Sequence, residues 1–341
     1  MPLIMSKSLK NGYLATVKLR HFSLAVSLIL VLTFVIWSVF NANALRDWII
    51  LETYTPPKII SELAETDTMT GYAKELFYVN EPRLLNKTEF SRNCPQDSGE
   101  SYVIGCYHSG DTGIYLLEVK QPQLNGIIPV TAAYEMLHAG YARLSTSSRN
   151  KIDQIMQQFY ASHNLGSQIE EQMASYAKTE PGERYDEMYS VLATEIAVLP
   201  SALNTQYAVY FSNRAKIVAM YEGYQAALNT RLQALESDNA QLTVLKSAIN
   251  SNESSIHQML LSIDALKQSL SSDQSDGAIS AYNAGVPAYD SLVNSYNNLV
   301  STVHSEITSY NQIVSSRNTL VLEEQQLVSA ISTKPALQSI K

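Results

Sequence analysis

From Leu228 onward an apolar residue returns at every seventh position: Leu228, Leu235, Leu242, Ile249, Ile256, Ile263 and Leu270. Leu232, Leu245, Leu260 and Leu266 fill further positions on the same stripe. An apolar period of seven sustained over this length commits the segment to a helix that buries one seam against another helix. Residues 271–277 (SSDQSDG) and 283–287 (NAGVP) break the pattern, and a second series follows at Leu292, Leu299, Ile313, Leu320 and Leu327, joined by Val303 and Tyr310. Two long helices around a turn region predict an antiparallel coiled-coil hairpin over residues 222–335. Asn239, Lys246, Glu253 and Lys267 interrupt the partner positions and could set register within the hairpin or between chains, so coiled-coil self-association stays open. Such a hairpin serves as reach, as a docking surface or as a passive spacer.

The other end of the chain decides the compartment. Residues 22–40, from Phe22 to Phe40, contain no charge for 19 positions, which at about 1.5 Å per residue nearly matches a hydrocarbon core of about 30 Å. Lys7, Lys10, Lys18 and Arg20 precede it without an acid, whereas Arg46 is followed at once by Asp47. The positive-inside bias therefore places a tail of residues 1–21 in the cytoplasm and the rest of the chain outside a cell membrane crossed once by 22–40. Cleavage after a signal peptide is the competing expectation, because Ala42, Asn43 and Ala44 fit an A-x-A site. Pro56 and Pro57 stop the spanning helix, and residues 41–67 read as a stem carrying a short amphipathic helix at 58–65.

A net charge of -8 removes the electrostatic basis for nucleic-acid binding, and no Lys/Arg cluster interleaved with aromatics appears. The two cysteines, Cys94 and Cys106, flank a Pro/Gly/Ser/Asp-rich loop. Outside a membrane such a pair is expected as a disulfide, which would stabilise the fold by roughly 3 kcal/mol, with two free thiols as the alternative. Residues 113–120 (GIYLLEVK) alternate as a strand does, at a sheet edge by this reading, and Pro129 marks the start of a helix running through Arg143.

That helix carries acid, imidazole and phenol at helical spacing: Tyr134, Glu135 and His138, which project from neighbouring faces. In a zinc-peptidase helix two His at i and i+4 chelate the metal, and the Glu after the first His takes a proton from the metal-bound water. Glu135 then stands at the general-base position and His138 at the second-ligand position, while Tyr134 occupies the place of the first His. A phenol, losing its proton near pH 10, is a poor zinc ligand at neutral pH. A second helix over 183–199 ends at Pro200 and offers a third ligand, Glu195 or alternatively Glu187. His108 and His163 are spare imidazoles.

The series LFYVNEPRLLNKTEFSRNC, GCY, IYLLEV and VTAAYEMLHAGYARL resembles a group of membrane-anchored bacterial proteins bearing VTAAHEMLHAAY, over roughly residues 68–221. The resemblance implies a gluzincin-type metallopeptidase domain with zinc as its cofactor and a strand lying along the substrate. It matches Glu187 and Glu195 to carboxylate positions, and Tyr189 stands at a candidate catalytic position where the pattern carries a His. The expected architecture is mainly α: a transmembrane helix, a small α+β gluzincin-like domain over 68–221, and the hairpin. Three functions follow: an inactive relative that binds a peptide or protein, an active zinc endopeptidase with an unusual ligand set, or a coiled-coil surface protein.

Overall fold

A computed structural model describes residues 26–39, 41–94, 103–109, 113–179 and 182–332. The chain is mainly helical, with one small sheet. Helix α1 (Val26–Val39) and helix α2 (Ala42–Thr53) come first. Among the described residues no single helix is long and apolar enough to cross a membrane; α1 and most of α2 meet that test only as a pair bent by 79°. Residues 1–21, and positions 22–25 and 40 of the apolar run, lie outside the described residues.

Residues 41–67 do not form a separate stem. Helix α3 (Lys58–Thr66) follows Pro57 and buries Ile60, Leu63 and Ala64 in the main core, because an apolar face on so short a helix is stable only against other apolar surface. The folded head thus starts ten residues before position 68. Helix α2 is also held to it: Arg143 Nη1 donates to Asp47 Oδ2 at 2.7 Å, and Tyr54 Oη donates to the Pro82 carbonyl at 3.3 Å.

Helix α4 (Gly71–Tyr78), capped by Thr70, leads to strand β1 (Arg83–Leu85) and helix α5 (Lys87–Asn93). Strands β2 (Gly105–His108) and β3 (Gly113–Leu117) complete a sheet of order β1-β3-β2, with β3 parallel to β1 and antiparallel to β2. The strand expected at 113–120 is therefore present but central, buried along its whole length, and β1 and β2 form the two edges. A disulfide joins Cys94, at the end of α5, to Cys106 in β2, with Cα atoms 6.0 Å apart.

Helix α6 (Ile127–Ala142) runs through the middle of the head. Its Ala132, Ala133, Ala139 and Gly140 let neighbours come close on every side; a Cβ at Gly140 would lie 2.9 Å from the Tyr210 ring. Around it pack α7 (Thr146–Ser162), α8 (Ser167–Thr179), α9 (Arg184–Glu195) and α10 (Ser201–Tyr207).

Helix α11 (Arg214–Ser275) begins inside the head, where Ile217, Val218 and Tyr221 are buried, and continues outward to a turn at Gly277, φ 69°. Helix α12 (Ile279–Ile331) returns antiparallel, and its Leu327 and Ile331 close against Leu124 and Ile127 at the base. Arg317 Nε donates to Asn239 Oδ1 at 2.8 Å and Asn252 Nδ2 to Glu306 at 3.0 Å, which fixes the hairpin register. The second expected break, at 283–287, is absent: α12 passes through Pro287. At the tip a Cβ on Gly285 would lie 2.9 Å from Leu270 Cδ2, so glycine there lets the two helices close up.

Asp67 is buried between α3 and the start of α11 with neither carboxylate oxygen hydrogen-bonded. Burial drives its pKa well above the usual range, with Lys216 opposing. A carboxyl whose folded pKa is raised contributes stability that is fully present below about pH 4 and is lost as pH rises toward the folded value. Asp67→Asn is accordingly expected to stabilise the chain by about 1–3 kcal/mol at pH 7.5 and by little below pH 4. Thermal unfolding at the two pH values checks this, and an equal shift at both would remove titration as the cause.

Candidate functional site

The middle of α6 and the first turns of α9 face each other beneath β2. Glu187 of α9 lies against both informative residues of α6: Tyr134 Oη donates to its Oε2 at 2.5 Å, and its Oε1 is 3.7 Å from His138 Nε2. On the other side of the imidazole, Nδ1 is 2.9 Å from Asp186 Oδ1. Tyr176 of α8 adds a second phenol 3.3 Å from Tyr134 Oη, and Ser190 Oγ donates to the Tyr134 carbonyl at 3.3 Å. Glu135, His138 and Glu187 are each less than one-tenth exposed, while Tyr134, Tyr176 and Asp186 are half-buried.

Burial by itself would push the His138 imidazole down, but the hydrogen bond with Asp186 and the charges of Glu187, Asp186 and Glu135 outweigh it and raise the pKa to about 10. The surrounding carboxylates thus favour the imidazolium form of His138. Burial and the neighbouring Glu187 drive the Tyr134 phenol well above 10, so it stays protonated and donates. Burial also raises Glu187, against the pull of His138 and of the Tyr134 hydrogen bond.

His138 and Glu187 stand as two ligands of one metal would, with Asp186 in the position of the carboxylate that orients a ligating imidazole. The third corner is filled by a phenol whose proton is already committed to Glu187. One imidazole, one carboxylate and one protonated phenol do not make a zinc donor set at neutral pH. Among the described residues, the one group of three His, Cys, Asp or Glu ligand atoms within 4.8 Å of one another is Cys94, Cys106 and His108, and its two sulfurs are bonded to each other.

The edge strand crosses directly over this site. A Cβ on Gly105 would lie 2.5 Å from both Glu135 Oε1 and Thr131 Cγ2, so only glycine lets the β2 backbone settle on α6. Two residues on, the Tyr107 ring lies parallel to the His138 imidazole, with centroids 6.5 Å apart. Gly105→Val is expected to push strand and helix apart and to cost about 1–3 kcal/mol, read from denaturant midpoints. An unchanged midpoint would show that β2 does not rest there.

The sequence expectations divide at α9. Of the two candidate carboxylates, Glu187 reaches the site. Glu195 lies eight residues, about 12 Å, further along the helix, where Gln172 Nε2 is 3.4 Å from its Oε1. Burial raises Glu195 to about 7, partly offset by Tyr221 and Gln172. Tyr189 is not at the site: two positions from Glu187 is roughly 200° around a helix, and its ring packs with Tyr141, Tyr207 and Tyr210 in the core. Neither His108, beside the disulfide, nor His163, against Phe159, takes the place of the missing ligand. Asp186 was not anticipated; its signal was the Asp-Glu pair at 186–187. No family model, no curated protein and no solved structure matches the chain.

Proposed function

We propose that the head is a gluzincin-like domain whose metal position is taken by Tyr134, and that it acts as a binding module for an extended peptide or protein segment laid along β2. The observation that carries this reading is the meeting of Tyr134 and His138 with Glu187 beneath an edge strand. In a working zinc peptidase the same corners hold two imidazoles and a carboxylate around the ion. Here the cationic His138 and the Tyr134 hydroxyl neutralise Glu187 instead, so the helices stay together without an ion.

The outer edge of β2 offers backbone N–H and C=O groups to a peptide strand, while Tyr107 and the covered Glu135 sit where side chains of such a peptide would point. The disulfide holds that edge in place. In this reading residues 22–40 anchor the chain in a cell membrane with the head outside, and the hairpin sets the reach of the module.

The test is the metal content of the full-length chain in detergent micelles, dialysed against micromolar zinc and then against buffer. Well under one zinc per chain is the expected result. One zinc per chain, removed by a chelator together with a peptidase activity abolished in Glu135→Gln, would replace this reading with an active zinc endopeptidase.

A further inference from the structure

The hairpin carries a second apolar series beside its own seam, only partly covered by it. In α12 the residues facing α11 alternate at spacings of three and four, through Leu292, Tyr296, Leu299 and Val303. Immediately after each of the seven-spaced members comes another apolar position: every seventh residue from Ile279, through Val300 and Ile307, to Val328 is isoleucine or valine, eight in succession. The stripe runs for about 74 Å along one flank of the helix. Ile279 is 59% exposed and Val300 and Ile307 are each 39% exposed, while Val286, Val293, Val314, Val321 and Val328 are half-buried. On α11 the exposed Leu232 and Leu260 each lie four residues after a seam position, which in an antiparallel pair is the same flank of the hairpin.

The hairpin is also short of burial. From residue 222 to residue 326 only Val303 is buried, so the seam between two helices alone stays partly wet along its length. We infer that a second copy of this chain covers the stripe, joining two hairpins into a four-helix bundle.

Three features select a second copy over another partner. A seven-residue period held over eight repeats is matched only by a helix of the same period and length, and the chain itself supplies one. β-branched side chains at every repeat meet their own kind without a change of size or register, as an isologous contact requires. The α12 side of the flank is almost free of charge: between 279 and 322 the charged residues of α12 are Asp290, Glu306 and Arg317, and the last two are engaged with Asn252 and Asn239 inside the hairpin. On the α11 side the same register carries Lys246, Glu253 and Lys267 beside Leu232 and Leu260, so the contact is assigned to the α12 stripe, where like surfaces approach with almost no repulsion. The inference concerns the hairpin and does not depend on the reading of the head.

The experiment is sedimentation of the full-length chain in density-matched detergent, with empty micelles in large excess over protein so that two anchors do not share one by chance. The native chain is expected to sediment at twice its monomer mass. The double substitution Val300→Lys with Ile307→Lys is expected to give the monomer with unchanged helix content by circular dichroism. Val244→Lys, on the outer side of α11 and 69% exposed, is expected to remain dimeric. Should the lysine pair lose helix content, Val300→Ser with Ile307→Ser is the milder probe, with an expected rise of about tenfold or more in the dissociation constant, about 1.4 kcal/mol. A native chain that stays monomeric at about 50 µM, a regime in which micromolar dimers form, overturns the inference. So does a stripe variant that dimerises as the native chain does.

Discussion

On the proposed reading, Tyr134→His is expected to carry one zinc ion per molecule where the native chain carries well under one. The argument is geometric first. The Tyr134 hydroxyl reaches Glu187 Oε2, and an imidazole at the same position stops about 2 Å short of where the phenol oxygen lies, which is the length of a Zn–N bond. The shorter side chain thus opens the volume the ion needs while supplying the missing ligand. His138 Nε2 and Glu187 Oε1, 3.7 Å apart, are spaced as two ligands of one tetrahedral ion, and Asp186 already holds the Nδ1 side of His138.

Binding must displace the proton on His138, so zinc affinity in the variant is expected to rise with pH from 6 to 8. Isothermal titration of Tyr134→His against the native chain, with Tyr134→Phe as control, reads this out. Tyr134→Phe removes the hydroxyl without adding a ligand and is expected to bind no better than the native chain. Equal, weak binding by all three would show that α6 and α9 do not form a metal site at all.

The second large effect is structural. Tyr189→Ala is expected to destabilise the head by about 3–5 kcal/mol, the usual cost of emptying a fully buried aromatic site. Tyr189 has no exposed surface, and its ring centroid lies 5.1 Å from that of Tyr207 and 5.4 Å from that of Tyr141. Tyr189→Phe keeps the packing and loses the bond from Gln206 Nε2, 2.9 Å from the hydroxyl, for about 1 kcal/mol. Denaturant unfolding ranks the two. If Tyr189→Phe instead abolished peptide binding while leaving stability untouched, a direct role for the hydroxyl would have to be admitted.

What could be read in advance was whatever repeats or lies close along the chain. The seven-residue series exposed both long helices, and the spacing of Tyr134, Glu135 and His138 on one helix needed only a pitch of 3.6 residues. The disulfide was expected from two cysteines read as lying outside a membrane, and the pair is joined. Choosing Glu187 over Glu195 was not legible, because two carboxylates on one helix differ in sequence only by position, whereas the approach of α9 to α6 depends on contacts such as that of Ser190 with the Tyr134 carbonyl. The placement of the strands failed for a related reason. Residues 113–117 alternate as a strand at either an edge or the centre would, and only the parallel pairing with β1, some thirty residues earlier, makes them central. Pro287 misled because a proline is a strong local signal, whereas the pairing of α12 with α11 along its length, pinned by Arg317 to Asn239 and Asn252 to Glu306, is not local.

Helix α11 is one uninterrupted rod that starts in the core of the head at Ile217 and Tyr221 and extends about 80 Å beyond it. Its partner is fixed at the base by Leu327 and Ile331, so neither arm pivots independently of the head. Orientation is thereby converted into position: a tilt of about 5° at the base carries the tip sideways by about 7 Å over that length. The far end of the hairpin works as a pointer whose position reports the orientation of the head, because α11 is packed into the head at Tyr221, beside Glu195, and at Met220, against Gly126.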